Sequence, residues 1–138
     1  MAYKVVLDTN ILLDFFLSER ESHKEVKKLL ESLDGAEYVL YVVSTSLKDL
    51  YYLISRFATE SIARECIRAV FYTMEVLAVD SRVLYEGFHG EEPDFEDGII
   101  GTCVDLNKMD FLVTRDEKAF KRIKTRTVSP TELLNLIA

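Results

Sequence analysis

Tyr3-Lys4-Val5-Val6-Leu7-Asp8-Thr9-Asn10-Ile11-Leu12 is the stretch that decides the fold. Tyr3 to Leu7 is rich in β-branched and aromatic residues and does not alternate with polar ones. That is the composition of a strand covered on both faces. Asp8 ends it, and Thr9 to Leu17 has helical character. A buried strand running directly into a helix is the first half of a βα unit, and parallel strands need such crossovers to become neighbours.

The rest of the chain repeats the unit. A helix is expected over Ser22 to Leu33, where Val26, Leu29, Leu30 and Leu33 fall at i, i+3, i+4, i+7 before Asp34-Gly35 stops it. Tyr38 to Val43 reads as a second buried strand. A helix over about Leu47 to Phe57 follows, with Leu47, Leu50, Tyr51 and Ile54 on one face, and another over about Glu60 to Tyr72. Val76 to Val79 is a third strand, Ser81 to Phe88 a short helix and Gly90 to Pro93 a loop. Phe95 to Asn107 is helical, Phe111 to Thr114 a fourth strand, Glu117 to Arg122 a helix and Thr127-Val128 a stub strand. Ser129 as N-cap, Pro130 at the first helical position and Glu132 closing a capping box start the last helix. The expectation is an α/β fold: a mostly parallel central sheet between helices, in a single domain over residues 1–138.

Composition agrees. With 138 residues, 49% of them apolar and 30% charged, the chain is sized for one core and is not disordered. Its longest apolar run, Tyr38 to Val43, falls far short of the roughly 20 residues that span a bilayer. The N-terminus, broken by Asp8, Asn10 and Asp14, does not resemble a signal peptide, so a cytoplasmic location is expected. Cys66 and Cys103 lack zinc-ligand spacing and read as buried thiols, and His23 and His89 have no partner pattern. Neither GxxxxGK[ST] nor GxGxxG occurs, which removes support for nucleotide chemistry, and no GxSxG supplies a serine nucleophile. The net charge is −7, yet Arg115 to Arg126 holds six basic and two acidic residues. That stretch is either a mixed helix surface or a strip that grips phosphates.

The chemistry lies in where the acids fall. Asp8 follows the first strand, Asp49 sits in the first turn after the second, Asp97 opens a later helix and Asp116 lies just past the fourth strand. Each has a local explanation as a helix cap or first-turn acid: Asp49 as the third residue of a Ser46 capping box, Asp97 beside Asp94. In a parallel sheet, however, all four lie at one edge, where such folds bind ligands. Clustered carboxylates repel, by about 4 kcal/mol per pair at 4 Å and an effective dielectric near 20, and need protons or cations. A site of oxygen donors suits Mg²⁺ or Mn²⁺, ions that promote phosphodiester hydrolysis.

Val5-Val6-Leu7-Asp8-Thr9-Asn10-Ile11-Leu12 resembles the opening signature of PIN-domain ribonucleases, which include the VapC-type toxins of toxin–antitoxin pairs. Phe95-Glu96-Asp97-Gly98-Ile99-Ile100-Gly101 resembles the family's third acidic segment, and Phe111-Leu112-Val113-Thr114-Arg115-Asp116 its last strand and final acid. The resemblance implies a PIN-like α/β/α sandwich and a Mg²⁺- or Mn²⁺-dependent endoribonuclease acting on single-stranded or structured RNA. Asp8, Asp97 and Asp116 would be metal ligands, with Thr9, Asn10 and Thr114 in support. Asp49 stands where the family usually has glutamate, one methylene longer, and would act through water. The adjacent acids Asp94 and Glu96 could also approach the site, with a solvated loop the favoured reading. Arg115, Lys118, Lys121 and Arg122 mark a path for the RNA backbone. The excess of apolar and aromatic residues in Tyr51, Tyr52, Leu53, Phe57 and Val70 to Tyr72 suits a homodimer or an antitoxin protein. Two other functions compete: a catalytically silent PIN-like module that binds RNA or protein, and a receiver- or dehalogenase-type phosphate pocket, whose motifs Asp8-Thr9-Asn10 does not match.

Overall fold

Val5, Val6 and Leu7 are at most 1% exposed, which explains why the first strand shows no polar alternation: both of its faces are covered. The computed structural model describes residues 2–35, 37–92 and 94–137. Its elements are β1 (Tyr3–Leu7), α1 (Thr9–Phe16), α2 (His23–Ser32), β2 (Tyr38–Val43), α3 (Ser44–Phe57), α4 (Glu60–Thr73), β3 (Glu75–Leu77), α5 (Ser81–Phe88), α6 (Phe95–Leu106), β4 (Phe111–Val113), a 3-10 turn (Glu117–Phe120), β5 (Arg126–Val128) and α7 (Pro130–Ile137). The strands form one sheet in the order β3-β2-β1-β4-β5, and every neighbouring pair is parallel.

Two hydrophobic clusters flank the sheet. Val5, Leu7, Val42 and Val113 pack against α1 to α4 and α7; Val6, Val43 and Leu112 pack against α5 and α6. This is the expected α/β/α sandwich. Because β1 is followed by β2 on one side and bonded to β4 on the other, the chain reverses direction across the sheet between β1 and β4, the position where such sheets open a crevice at their C-terminal edge. The ladder continues past the strands there, Asp8 N–H donating to the Val113 carbonyl at 3.0 Å and Thr114 N–H to that of Val128 at 3.0 Å.

Several boundaries differ from expectation. The helix after β2 starts at Ser44, not Leu47, so strand passes into helix without a loop and Asp49 falls in the second turn. Ser46 forms no capping box; its hydroxyl accepts from Thr9 Oγ1 at 2.8 Å. The third strand is Glu75–Leu77 and stops before Val79, whose N–H turns aside to Ser44 Oγ at 3.1 Å. The expected helix over Glu117 to Arg122 is a single 3-10 turn ending at Phe120. The loop read over Gly90 to Pro93 ends on a residue outside those described. The last helix begins as expected, Glu132 N–H donating to Ser129 Oγ and Ser129 N–H to Glu132 Oε1, both at 3.1 Å.

The helix that carries Asp97 is set by a glycine contact. Gly87 of α5 and Gly98 of α6 meet backbone to backbone, and a Cβ on Gly98 would collide with the Gly87 carbonyl. Gly98→Ala is expected to destabilise the protein by about 1–3 kcal/mol, the usual cost of overpacking. Thermal denaturation checks this, an unchanged midpoint being the contrary result.

Candidate functional site

Asp8 is the residue around which the site is built. It caps α1 from the end of β1, only 7% exposed. Thr9 N–H donates to its Oδ1 and the Thr114 hydroxyl to its Oδ2, each at 2.8 Å. Thr114 Oγ1 in turn accepts the Asp116 amide at 3.0 Å, and the Asp116 side chain makes no capping bond to the 3-10 turn after it. Asp94, not Asp97, caps α6, with Oδ1 accepting from Asp97 N–H at 2.8 Å, so Asp97 sits in the first turn.

These elements bring the sequence-predicted acids together. A cleft of about 420 Å³ is lined by Asp8, Thr9, Asn10, Asp49, Tyr52, Leu53, Asp94, Glu96, Asp97 and Asp116. Asp94 and Glu96 therefore belong to the cleft wall and not to a solvated loop apart from it. The supporting residues divide: Thr9 is buried and donates to Ser46, Thr114 holds Asp8 and Asp116, and Asn10 lines the cleft.

The charges in the cleft oppose one another. Asp97 is pushed up to about 7, first by burial and then by the charge of Asp94 and a hydrogen bond with it, with Asp8 and Glu96 adding to the effect. Burial also raises Glu96, followed by the charges of Asp49, Asp8 and Asp94. Asp8 is raised by burial, against the hydrogen bonds from Thr114 and Thr9 that favour its ionised form. Among the described residues no arginine or lysine lines the cleft.

The basic stretch lies elsewhere than the notion of one continuous strip suggests. Arg115 Nε stands 2.8 Å from Oδ2 of Asp14, a residue of α1 that is 1% exposed, and Arg122 Nε stands 3.4 Å from Glu91. Lys118 and Lys121 flank a shallow groove with Phe120 and Ile123. Asp14 is the polar residue that local sequence reasoning missed: it also meets Arg20 Nε at 2.7 Å, and its Arg115 partner is 101 positions away. The cysteines are buried and unpaired, and burial pushes the Cys103 thiol up to about 11, far from a nucleophile.

The donor set suits a hard divalent cation, since every candidate ligand in the cleft is an oxygen. Among the described residues no three His, Cys, Asp or Glu side chains are gathered tightly enough to cage an ion by themselves.

A PIN-domain family model matches residues 4–118. The chain therefore belongs to the PIN-domain family. Its fold is similar to that of a chain in the Rickettsia felis VapBC2 complex bound to a promoter DNA fragment, with a TM-score of 0.67 at 18% identity over 91% of this chain and 98% of that one. It is similar to Mycobacterium tuberculosis VapC20, described as a Sarcin-Ricin loop cleaving toxin, with a TM-score of 0.71 at 13% identity over 86% and 95%. A chain of VapBC-1 from nontypeable Haemophilus influenzae gives 0.70 at 17% identity over 93% and 98%. The comparison with curated proteins returned no match.

The raised Asp97 carboxyl makes the stability of the metal-free protein depend on pH. The folded chain keeps on Asp97, up to about pH 7, a proton that an unfolded chain releases around 3.8. Stability from this group is present at low pH and is lost as pH rises through that window. In chelator, Asp97→Asn is expected to melt above the wild type at pH 7.5, with the gain shrinking toward pH 4. A gain that does not vary with pH would contradict the origin assigned to it.

Proposed function

We propose that this chain is a metal-dependent endoribonuclease that hydrolyses RNA phosphodiester bonds, and that it is the cytoplasmic toxin of a toxin–antitoxin pair. The observation that carries the reading is the gathering of six carboxylates, from four separate parts of the chain, in one cleft at the C-terminal edge of the sheet. Membership of the PIN-domain family supports it, as does the fold shared with toxins of VapBC complexes.

Asp8, Asp97 and Asp116 would hold Mg²⁺ or Mn²⁺, and Asp49 would act through water. When bound, the ion would neutralise the carboxylates and polarise a phosphodiester oxygen. Thr114 favours the ionised form of Asp8 and aims it by donating to its Oδ2, and Thr9 fixes the other oxygen through its backbone amide. A bound cation would compensate the neighbouring acids and favour the ionised Asp97 carboxylate over the protonated form that burial and those acids promote. Asn10, which lines the cleft, would support the ligands. Single-stranded or structured RNA follows Arg115, Lys118, Lys121 and Arg122. Arg115 and Arg122 are already paired with acids, so Lys118 and Lys121, which make no ion pair among the described residues, carry most of the phosphate contact.

The aromatic surface of the α3–α4 hairpin, with Phe57 67%, Phe71 63% and Tyr72 82% exposed, is the face for a homodimer or an antitoxin protein. Among the described residues no helix is long and apolar enough to cross a membrane.

The test is cleavage of a panel of structured and single-stranded RNAs, with and without EDTA, by the wild type and by Asp8→Asn, Asp97→Asn and Asp116→Asn. Cleavage by the wild type that EDTA stops, and a loss of roughly a hundredfold or more in each variant, is the expected result. Undiminished cleavage by Asp97→Asn, or cleavage indifferent to EDTA, overturns the reading. Replacing Lys118 and Lys121 by alanine should weaken RNA binding and flatten its salt dependence by about 0.7 per lysine in the log–log slope. An unchanged slope in a salt titration removes them from the path.

A further inference from the structure

Asp14 is a buried carboxylate that the proposed chemistry does not use. It lies in α1, six residues after Asp8, and two arginines converge on it, one 6 and the other 101 positions further along the chain. Arg20 Nε approaches Oδ1 at 2.7 Å, and Arg115 approaches side-on, with Nε 2.8 Å from Oδ2 and Nη2 donating to Oδ1 at 3.3 Å. The Oδ2 contact is an ion pair and not an aligned hydrogen bond. Stability alone is a poor explanation for such an arrangement, because apolar side chains of similar volume commonly serve a core equally well. What an ion pair adds is a fixed position and orientation for the planar guanidinium.

The position fixed is that of Arg115, and Arg115 stands between the two residues that build the cleft on the β4 side. Thr114 before it donates to Asp8, and Asp116 after it donates its amide back to Thr114. The Thr114–Asp116 turn lies beyond the end of β4, where ladder bonding stops after the Thr114 amide. We propose that Asp14 is a positioning residue: by anchoring Arg115 to α1 it holds the Thr114–Asp116 turn, so that Asp8 and Asp116 stay together on the cleft wall. The consequence for RNA cleavage rests on the nuclease reading; the strut itself does not. Arg20, which shares the carboxylate but comes from the α1–α2 connection, has no covalent link to the turn and acts on Asp14 alone.

The experiment compares the full-length wild type with Asp14→Asn, Arg115→Ala, Arg115→Lys and Arg20→Ala by amide hydrogen exchange, without metal or RNA, and then by RNA cleavage. The amide of Asp116 is expected to exchange roughly tenfold or more faster in Asp14→Asn and Arg115→Ala, while the amides of β1 and α4 hold. Arg20→Ala should leave Asp116 near wild type, and Arg115→Lys, which keeps a charge for Asp14, should recover part of the protection. In cleavage, kcat should fall in Asp14→Asn and Arg115→Ala with KM changed less, and the two substitutions combined should cost little more than the worse one alone. If Asp14→Asn does not fold, Arg115→Ala, which leaves Asp14 paired with Arg20, gives the same reading. Unaltered exchange at Asp116 in Arg115→Ala overturns the proposal, as does Arg20→Ala matching its effect. Faster exchange with undiminished kcat overturns the catalytic part. A wild type that cuts no RNA contradicts the nuclease reading, and the exchange comparison then decides the strut by itself.

Discussion

The Asp8 carboxylate is held where the first strand becomes the first helix, and much of the molecule is arranged around that hold. Its two oxygens are fixed from two sides: one by the amide at the start of α1, the other by the hydroxyl of Thr114 at the end of β4. The Thr114 bond joins segments 106 residues apart and fixes the carboxylate on the crevice between β1 and β4. Burying a carboxylate costs free energy unless hydrogen bonds and a favourable field offset it. Asp8 has both, because it caps α1 and so lies at the positive end of that helix dipole.

The same device recurs across the cleft. Asp94 caps α6 and Asp97 lies in its first turn, so two helix N-termini meet the cluster of acids from separate parts of the chain. Their partial positive charges favour the ionised acids, while burial first and the neighbouring carboxylates second raise Asp97 and Glu96. The close contact of Gly87 with Gly98 sets how near α6 can come to α5 and therefore where Asp97 stands. The fold thus keeps together charges that would otherwise part, an arrangement that is useful only if a cation or a proton completes it.

Much of this was legible in the sequence because the signals were local. A continuous apolar run from Val5 to Leu7 announced a strand covered on both faces, and an acid at each strand or helix boundary announced a polar edge. What escaped was set by contacts between distant segments. Ser44-Thr45-Ser46 has the composition of a turn, yet the Ser44 hydroxyl takes the Val79 amide and that of Ser46 takes Thr9, and the helix starts at once. Asp94 and Glu96 look like loop acids until α6 turns them into the cleft. Arg115 looks like one cation of a basic run, and only the packing of the β4 turn on α1 shows that Asp14 already holds it. Helical spacing within α1 says that Asp14 is near its core face; it says nothing of a partner 101 positions on.

The central claim is that the acidic cleft is a divalent-metal site. Calorimetric titration of Mn²⁺ into the wild type and into Asp97→Asn, both folded and near pH 7.5, tests it most directly, because it needs no knowledge of the RNA. The account predicts binding to the wild type that is lost or strongly weakened in the variant. Equal binding by the two proteins, or no binding to the wild type, would contradict it.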